Sequence, residues 1–254
     1  MEQVTDNQLY PTEVIDLPSK GVFYPEGSPL RSGQIELKYM TTKEEDILTS
    51  TNLIQKGIVL DKLMDSLIVT KGVKSSDLLI GDLNAVMVAA RILGYGKDYP
   101  VGIKCPSCGD TMQETVDLTS LKTINEPESD KPKQISVVLP ASKAEVTLKL
   151  LTRGDEFAID KEVKALKKAS DTSSEFSARL RAMITAVNGD TNKGAIWKFV
   201  ENMLVRDSRF IRDSYKEHVP DVDFDIPMSC ESCGTTNTVR LPIGTGFFWP
   251  DAGV

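Results

Sequence analysis

The sequence predicts an α+β fold: helical segments, a strand-rich N-terminal arm, and a discontinuous β element of zinc-ribbon type held by four cysteines. Three observations carry this expectation. Two Cys-x-x-Cys pairs, Cys105/Cys108 and Cys230/Cys233, sit in matching strand–turn–strand patterns. Apolar residues before and between them recur at the helical period of about 3.6 residues. Gln34 to Tyr39 alternates polar and apolar, the pattern of a half-buried strand.

Residues 1–40 form the N-terminal arm, loose up to Pro11 and turn-rich through Gly21, Pro25, Gly27 and Pro29, with its strand at the end. Residues 41–98 are helical. Thr42-Lys43-Glu44-Glu45 has the form of a capping box, in which the Thr42 hydroxyl and the Glu45 carboxylate would satisfy orphan helical N–H groups. Leu60, Leu63, Met64, Leu67 and Ile68 make one apolar stripe and predict an amphipathic helix over 58–69, with Gly72 placed to stop it. Residues 82–93 are apolar almost all round, as in a helix buried against several neighbours, and Gly94-Tyr95-Gly96 ends them.

Residues 99–124 hold the first cysteine knuckle between strands at 101–104 and 113–118. Residues 125–151 are a proline- and charge-rich linker followed by a hairpin of 134–139 with 144–150. Residues 152–220 are helical again. Ile159, Val163 and Leu166 share one face; Phe176, Leu180, Met183, Ile184 and Val187 share a second, closed by Asn188-Gly189. Ile196, Phe199, Val200, Met203 and Leu204 share a third, and a short helix is expected over 208–217. Residues 221–254 carry the second knuckle and an aromatic tail, Phe247-Phe248-Trp249-Pro250.

A chain of 254 residues with 40% hydrophobic and 26% charged residues has an ordinary globular composition. Its formal charge of −7 argues against nucleic acid or an anionic membrane as the main partner, because both call for basic excess. No apolar run reaches spanning length, and the first residues lack the basic and apolar regions of a secretory signal. A reducing cytoplasm is therefore expected, where paired cysteines act as metal ligands more readily than as disulfides.

Ile103 to Gly109 and Met228 to Gly234 are nearly the same motif, displaced by 125 positions. Two residues between the cysteines allow a tight turn with both sulfurs on one side, and the following glycine permits positive φ. Two facing knuckles give a closed tetrahedral site for a structural zinc, with Cys105, Cys108, Cys230 and Cys233 as ligands. The 121 residues between Cys108 and Cys230 then form an insertion into the ribbon. A disulfide in each pair, a catalytic zinc and an iron–sulfur cluster are the alternatives; the last also takes four cysteines. Nothing points to an enzyme or a small-molecule substrate. The single histidine, His218, ends a helix, and there is no nucleophile elbow, Walker loop or complete dinucleotide fingerprint, so no catalytic residue is named.

With these motifs placed, a family resemblance follows. Leu17-Pro18-Ser19-Lys20-Gly21-Val22-Phe23-Tyr24, Met40 to Leu48, Gly81-Asp82-Leu83, Ala90 to Gly96, the paired knuckles and the closing Phe247-Phe248-Trp249-Pro250 together resemble the baseplate hub assembly proteins of T-even-type contractile-tailed phages. The resemblance implies a non-enzymatic viral protein that acts in the host cytoplasm, and in the virion tail baseplate if it is retained there. Its partners would be other baseplate and hub proteins, and its role that of an assembly factor or a hub subunit. The zinc site is not part of that implication. Phe23, Tyr24, Phe247, Phe248 and Trp249 are candidates either for docking a partner or for capping the protein's own core. The rival function is a zinc-ribbon nucleic-acid adaptor, which would need a basic face; Lys104 and Arg240 lie near the knuckles, but so do Asp110, Glu114, Asp225 and Glu231.

Overall fold

The computed structural model describes residues 11–128, 134–169 and 175–248. In chain order the elements are β1 (Thr12–Asp16), β2 (Gln34–Lys38), α1 (Thr42–Thr49), α2 (Thr51–Gln55), α3 (Val59–Leu67), α4 (Ile80–Tyr95), β3 (Asp98–Lys104), β4 (Thr111–Asp117), β5 (Thr123–Ile124), β6 (Ile135–Val138) and β7 (Glu145–Leu148). Then come α5 (Arg153–Ala169), α6 (Glu175–Met183), β8 (Ile184–Val187), α7 (Lys193–Glu201), α8 (Val205–His218), β9 (Asp221–Val222), β10 (Asp225–Ser229) and β11 (Thr236–Arg240). Helices and small antiparallel sheets are mixed, as expected. One continuous hydrophobic core runs from Leu17 through α3, α4 and the β hairpins to Phe248.

α4 organises the molecule. Its apolar circumference buries Leu83, Val86, Met87, Val88 and Ala90 at once, so neighbours surround it. Gly81, in its first turn, lies against the backbone before β9: a Cβ there would stand 1.8 Å from the Pro220 carbonyl oxygen. Only glycine allows that approach. Asp82 is fully buried beside it and accepts three hydrogen bonds, from the Ser19 N–H (2.9 Å), the Ser19 hydroxyl (2.7 Å) and the Tyr24 hydroxyl (2.7 Å). Tyr24 Oη in turn accepts the Leu79 N–H at 2.9 Å. The arm is thus fastened to α4 by one buried polar network. Gly21 takes φ +76 in the same turn, where a Cβ would stand 2.5 Å from the Arg31 carbonyl oxygen.

Other long-range polar contacts hold the remaining helices. Arg153 of α5 makes a two-pronged pair with Asp61 of α3, at 2.7 and 3.0 Å. Arg179 of α6 does the same with Glu156 of α5, at 2.6 and 2.9 Å. Asp207 of α8 accepts the N–H groups of Ala141 and Ser142 in the β6–β7 turn.

Three expectations are corrected. The α1 cap sits one residue earlier: Thr41 is the N-cap, and the buried Glu44 accepts both its N–H and its hydroxyl. Glu44 takes this place because its carboxylate also receives Lys38 Nζ (3.0 Å) and the Ser66 hydroxyl (2.6 Å), contacts that Glu45 on the solvent side cannot make. The helix expected through Val187 stops at Met183, and Ile184–Val187 form β8 against β7. Pairing with a neighbouring strand overrides the helical period there, and Asn188 (φ 49) and Gly189 (φ 79) shape the turn after it. The third stripe is also divided: α7 ends at Glu201, and Leu204 is the N-cap of α8.

Candidate metal centre

Each knuckle joins the two strands of a hairpin. β3 pairs with β4, from Asp98↔Asp117 to Lys104↔Thr111, and the link between them carries Cys105 and Cys108. β10 pairs with β11, from Asp225↔Arg240 to Ser229↔Thr236, and its link carries Cys230 and Cys233. The backbones match bond for bond. Cys105 N–H donates to the Asp110 carbonyl (2.7 Å) and Gly109 N–H to the Cys105 carbonyl (2.9 Å); Cys230 N–H donates to Thr235 (3.0 Å) and Gly234 N–H to Cys230 (2.8 Å). Gly109 and Gly234 both adopt left-handed φ, 81 and 70. The repeat visible in the sequence is a repeat of geometry.

The two hairpins face one another. All four Sγ atoms lie within 4.8 Å of each other, with Cys105–Cys233 at 3.9 Å and Cys108–Cys230 at 3.7 Å. Four sulfurs at about 2.3 Å from a central ion form a tetrahedron with edges of about 3.8 Å. The arrangement can therefore hold a metal ion. Cys105 and Cys230 are buried, whereas Cys108 and Cys233 face solvent. Side chains cross the seam around them. Asn237 Nδ2 reaches Cys105 Sγ at 3.6 Å, the Ser107 hydroxyl donates to Asn237 Oδ1 at 3.1 Å, and Ser232 bonds Asp110.

The donors around the sulfurs favour thiolate. The backbone N–H of Cys108 lowers the Cys105 thiol, and the Thr235 hydroxyl and N–H bring Cys233 down to about 6. At Cys108 the Asp110 N–H acts downward, but burial and the three neighbouring sulfurs outweigh it and push the thiol up to about 12. Crowded thiols divide their protons unequally, since adjacent thiolates repel. A cation among them removes the reason to keep any proton.

The aromatic candidates are placed differently from the cysteines. Tyr24 is buried, with its hydroxyl committed to Asp82 and Leu79, and Phe23 is half-buried. Phe247 and Phe248 are fully inside, edge-on to one another with ring centroids 5.3 Å apart, and Phe247 is likewise edge-on to Tyr99 at 4.9 Å. Tyr24, Phe247 and Phe248 thus pack into the protein's own core; Trp249 lies outside the described residues. The order of motifs concealed what holds the tail. Arg91, buried in α4, donates from Nε to the Phe247 carbonyl oxygen at 3.0 Å and from Nη1 to that of Gly96 at 3.1 Å. A lone arginine in the otherwise apolar stretch from Ala85 to Tyr95 was the available sign.

His218 ends α8, its Nδ1 2.7 Å from the Ser214 carbonyl oxygen, a helix-terminal contact. No helix among the described residues is long and apolar enough to cross a membrane. Comparison with curated proteins and with solved structures finds no match. The family model described as T4 bacteriophage base plate protein matches residues 12–249, from β1 past both knuckles to the aromatic tail, and the chain belongs to that family.

Proposed function

We propose that the protein serves the hub of a contractile-tail baseplate, as an assembly factor or hub subunit working by protein–protein contact, with one structural zinc bound by Cys105, Cys108, Cys230 and Cys233. The family match over residues 12–249 is the observation that carries the reading. Its partners are other baseplate proteins, and its place is the host cytoplasm during assembly and the tail baseplate where it is retained. Zinc is favoured by the donor set, four sulfurs at tetrahedral spacing and no histidine or open position. The ion would join the middle of the chain to its C-terminal part and so act as a structural cross-link. No role in chemical turnover is assigned to any residue.

The test has two arms. Virions and infected-cell extracts are probed for the protein in complex with identified hub proteins, and its absence from both overturns the baseplate role. Metal analysis of protein purified without added metal should give one zinc per chain. Iron with visible charge-transfer absorption would replace zinc by a cluster, leaving the hub role standing.

A further inference from the structure

A cleft of about 440 Å³ opens between α5, α6, β8 and α7, away from the cysteines. Its floor is apolar, with Ile159 and Ile196 buried in it. Its walls are charged, and their pairing is incomplete. Lys149 is matched by Asp155 at 2.7 Å, and Arg181 contacts Glu162 through Nη2. One N–H donor and one cation are left over. The Arg181 side chain is only 9% exposed, and its Nε is the one buried side-chain polar atom without a hydrogen-bond partner among the described residues. Lys193, exposed on the same cleft, is in no ion pair among the described residues. Trp197, 49% exposed, lies over the Arg181 guanidinium with 4.9 Å between its ring centroid and the guanidinium carbon.

A folded chain seldom leaves a buried N–H without an acceptor, because it has lost water and gained nothing. A half-exposed tryptophan over an arginine has the composition of an interface anchor. The lining lacks one acceptor and one negative charge, while its floor accepts an apolar side chain. We propose that this cleft docks a segment of another baseplate protein that carries an aspartate or glutamate beside an apolar side chain, a proposal that rests on the baseplate reading above. The apolar side chain fills the floor over Ile159 and Ile196. Its neighbouring carboxylate lies between Lys193 and Arg181, accepting from Nε once the Trp197 ring tilts aside. The ring then closes over the seated side chain. An acidic segment fits better than a basic one, because Asp155 and Glu162 are already engaged and a further cation would face Lys193 and Arg181.

The test places a photo-reactive benzoylphenylalanine at position 197 of the full chain during infection, with the same group at exposed Val14 as control. The cross-linked peptide is identified by mass spectrometry. The expected product at 197 is a baseplate-protein segment with a carboxylate next to an apolar residue. Affinity of the purified chain for that protein should fall about tenfold or more in Trp197→Ala and in Lys193→Glu, each checked by its melting curve to be folded at the assay temperature. Changing the partner's carboxylate to lysine should restore binding to Lys193→Glu alone. Unaltered affinity in both variants, or a cross-link to a segment without a carboxylate, overturns the docking site while the baseplate role stands. Failure of the wild-type chain to bind any baseplate protein overturns the role and the site together.

Discussion

Asp82 shows how much a single side chain carries. Its carboxylate is buried and ringed by donors from Ser19 and Tyr24; burial raises its pKa, and the hydrogen bonds oppose the rise. Replacing Tyr24 by phenylalanine keeps the ring but removes one donor to Asp82 and the acceptor of the Leu79 N–H. The expected cost is about 1–3 kcal/mol, read as a melting temperature lower by roughly 3–10 °C. Glu44 makes a pH-dependent contribution. Burial pushes its carboxyl up, but bonds from Ser66, Thr41 and Lys38 outweigh this and bring it to about 2, below the ordinary 4.5. A depressed carboxyl contributes stability above its unfolded value and loses it as pH falls through the folded one. The contribution is on the order of 3 kcal/mol at neutral pH and should disappear between about pH 5 and pH 2. Denaturant titrations across that range should therefore show a steeper acid loss for the native chain than for Glu44→Gln; parallel curves would contradict it.

At the scale of elements, α4 is set by its neighbours more than by its own propensity. Its first turn contains Gly81, a poor helix former, because the backbone at Pro220 passes too close for any side chain. Gly81→Ala should raise helix propensity and still prevent stable folding, with expression shifting to the insoluble fraction. Gly244→Ala, where no atom lies within 4 Å of the added carbon, should leave melting within a degree or two, about the experimental scatter for neutral surface changes. β8 makes the opposite point. Ile184 and Val187 continue the stripe of α6 in sequence, yet β7 offers an open edge and takes them as a strand. A β-branched stretch at the end of a helical pattern fits either period, and a partner strand distant in sequence decides between them.

For the whole molecule, a metal ion held by the four cysteines would close a loop of 121 residues between Cys108 and Cys230. Removing it with a strong thiol-competing chelator, or through Cys105→Ser, should lower the melting temperature by roughly 5–15 °C. The β3–β4 and β10–β11 hairpins should loosen together in hydrogen exchange, because each is a two-stranded ribbon with little support of its own. Cys108→Ser, at the exposed edge of the same site, should lose the metal too, which separates ligand loss from core disruption. Equal melting with and without metal would show that the hydrophobic core alone joins the two halves.

Much of this was legible in the amino-acid order. The paired knuckles were legible because a Cys-x-x-Cys-Gly turn is local, and a local motif written twice needs no tertiary information to be recognised; the fold adds that their four sulfurs come together. The amphipathic stripe of α3 and the all-round apolar face of α4 were readable for the same reason, since helical periodicity is a property of consecutive residues. The aromatic residues were not. Whether Tyr24 and Phe247 face a partner or the interior depends on Asp82 and Arg91, which lie 58 and 156 positions away in the chain. Likewise Arg181 became informative only when packing buried its Nε without an acceptor among the described residues. Spacing along the chain determined which groups could work together; long-range packing decided which of them are buried, which are paired, and which still lack a partner.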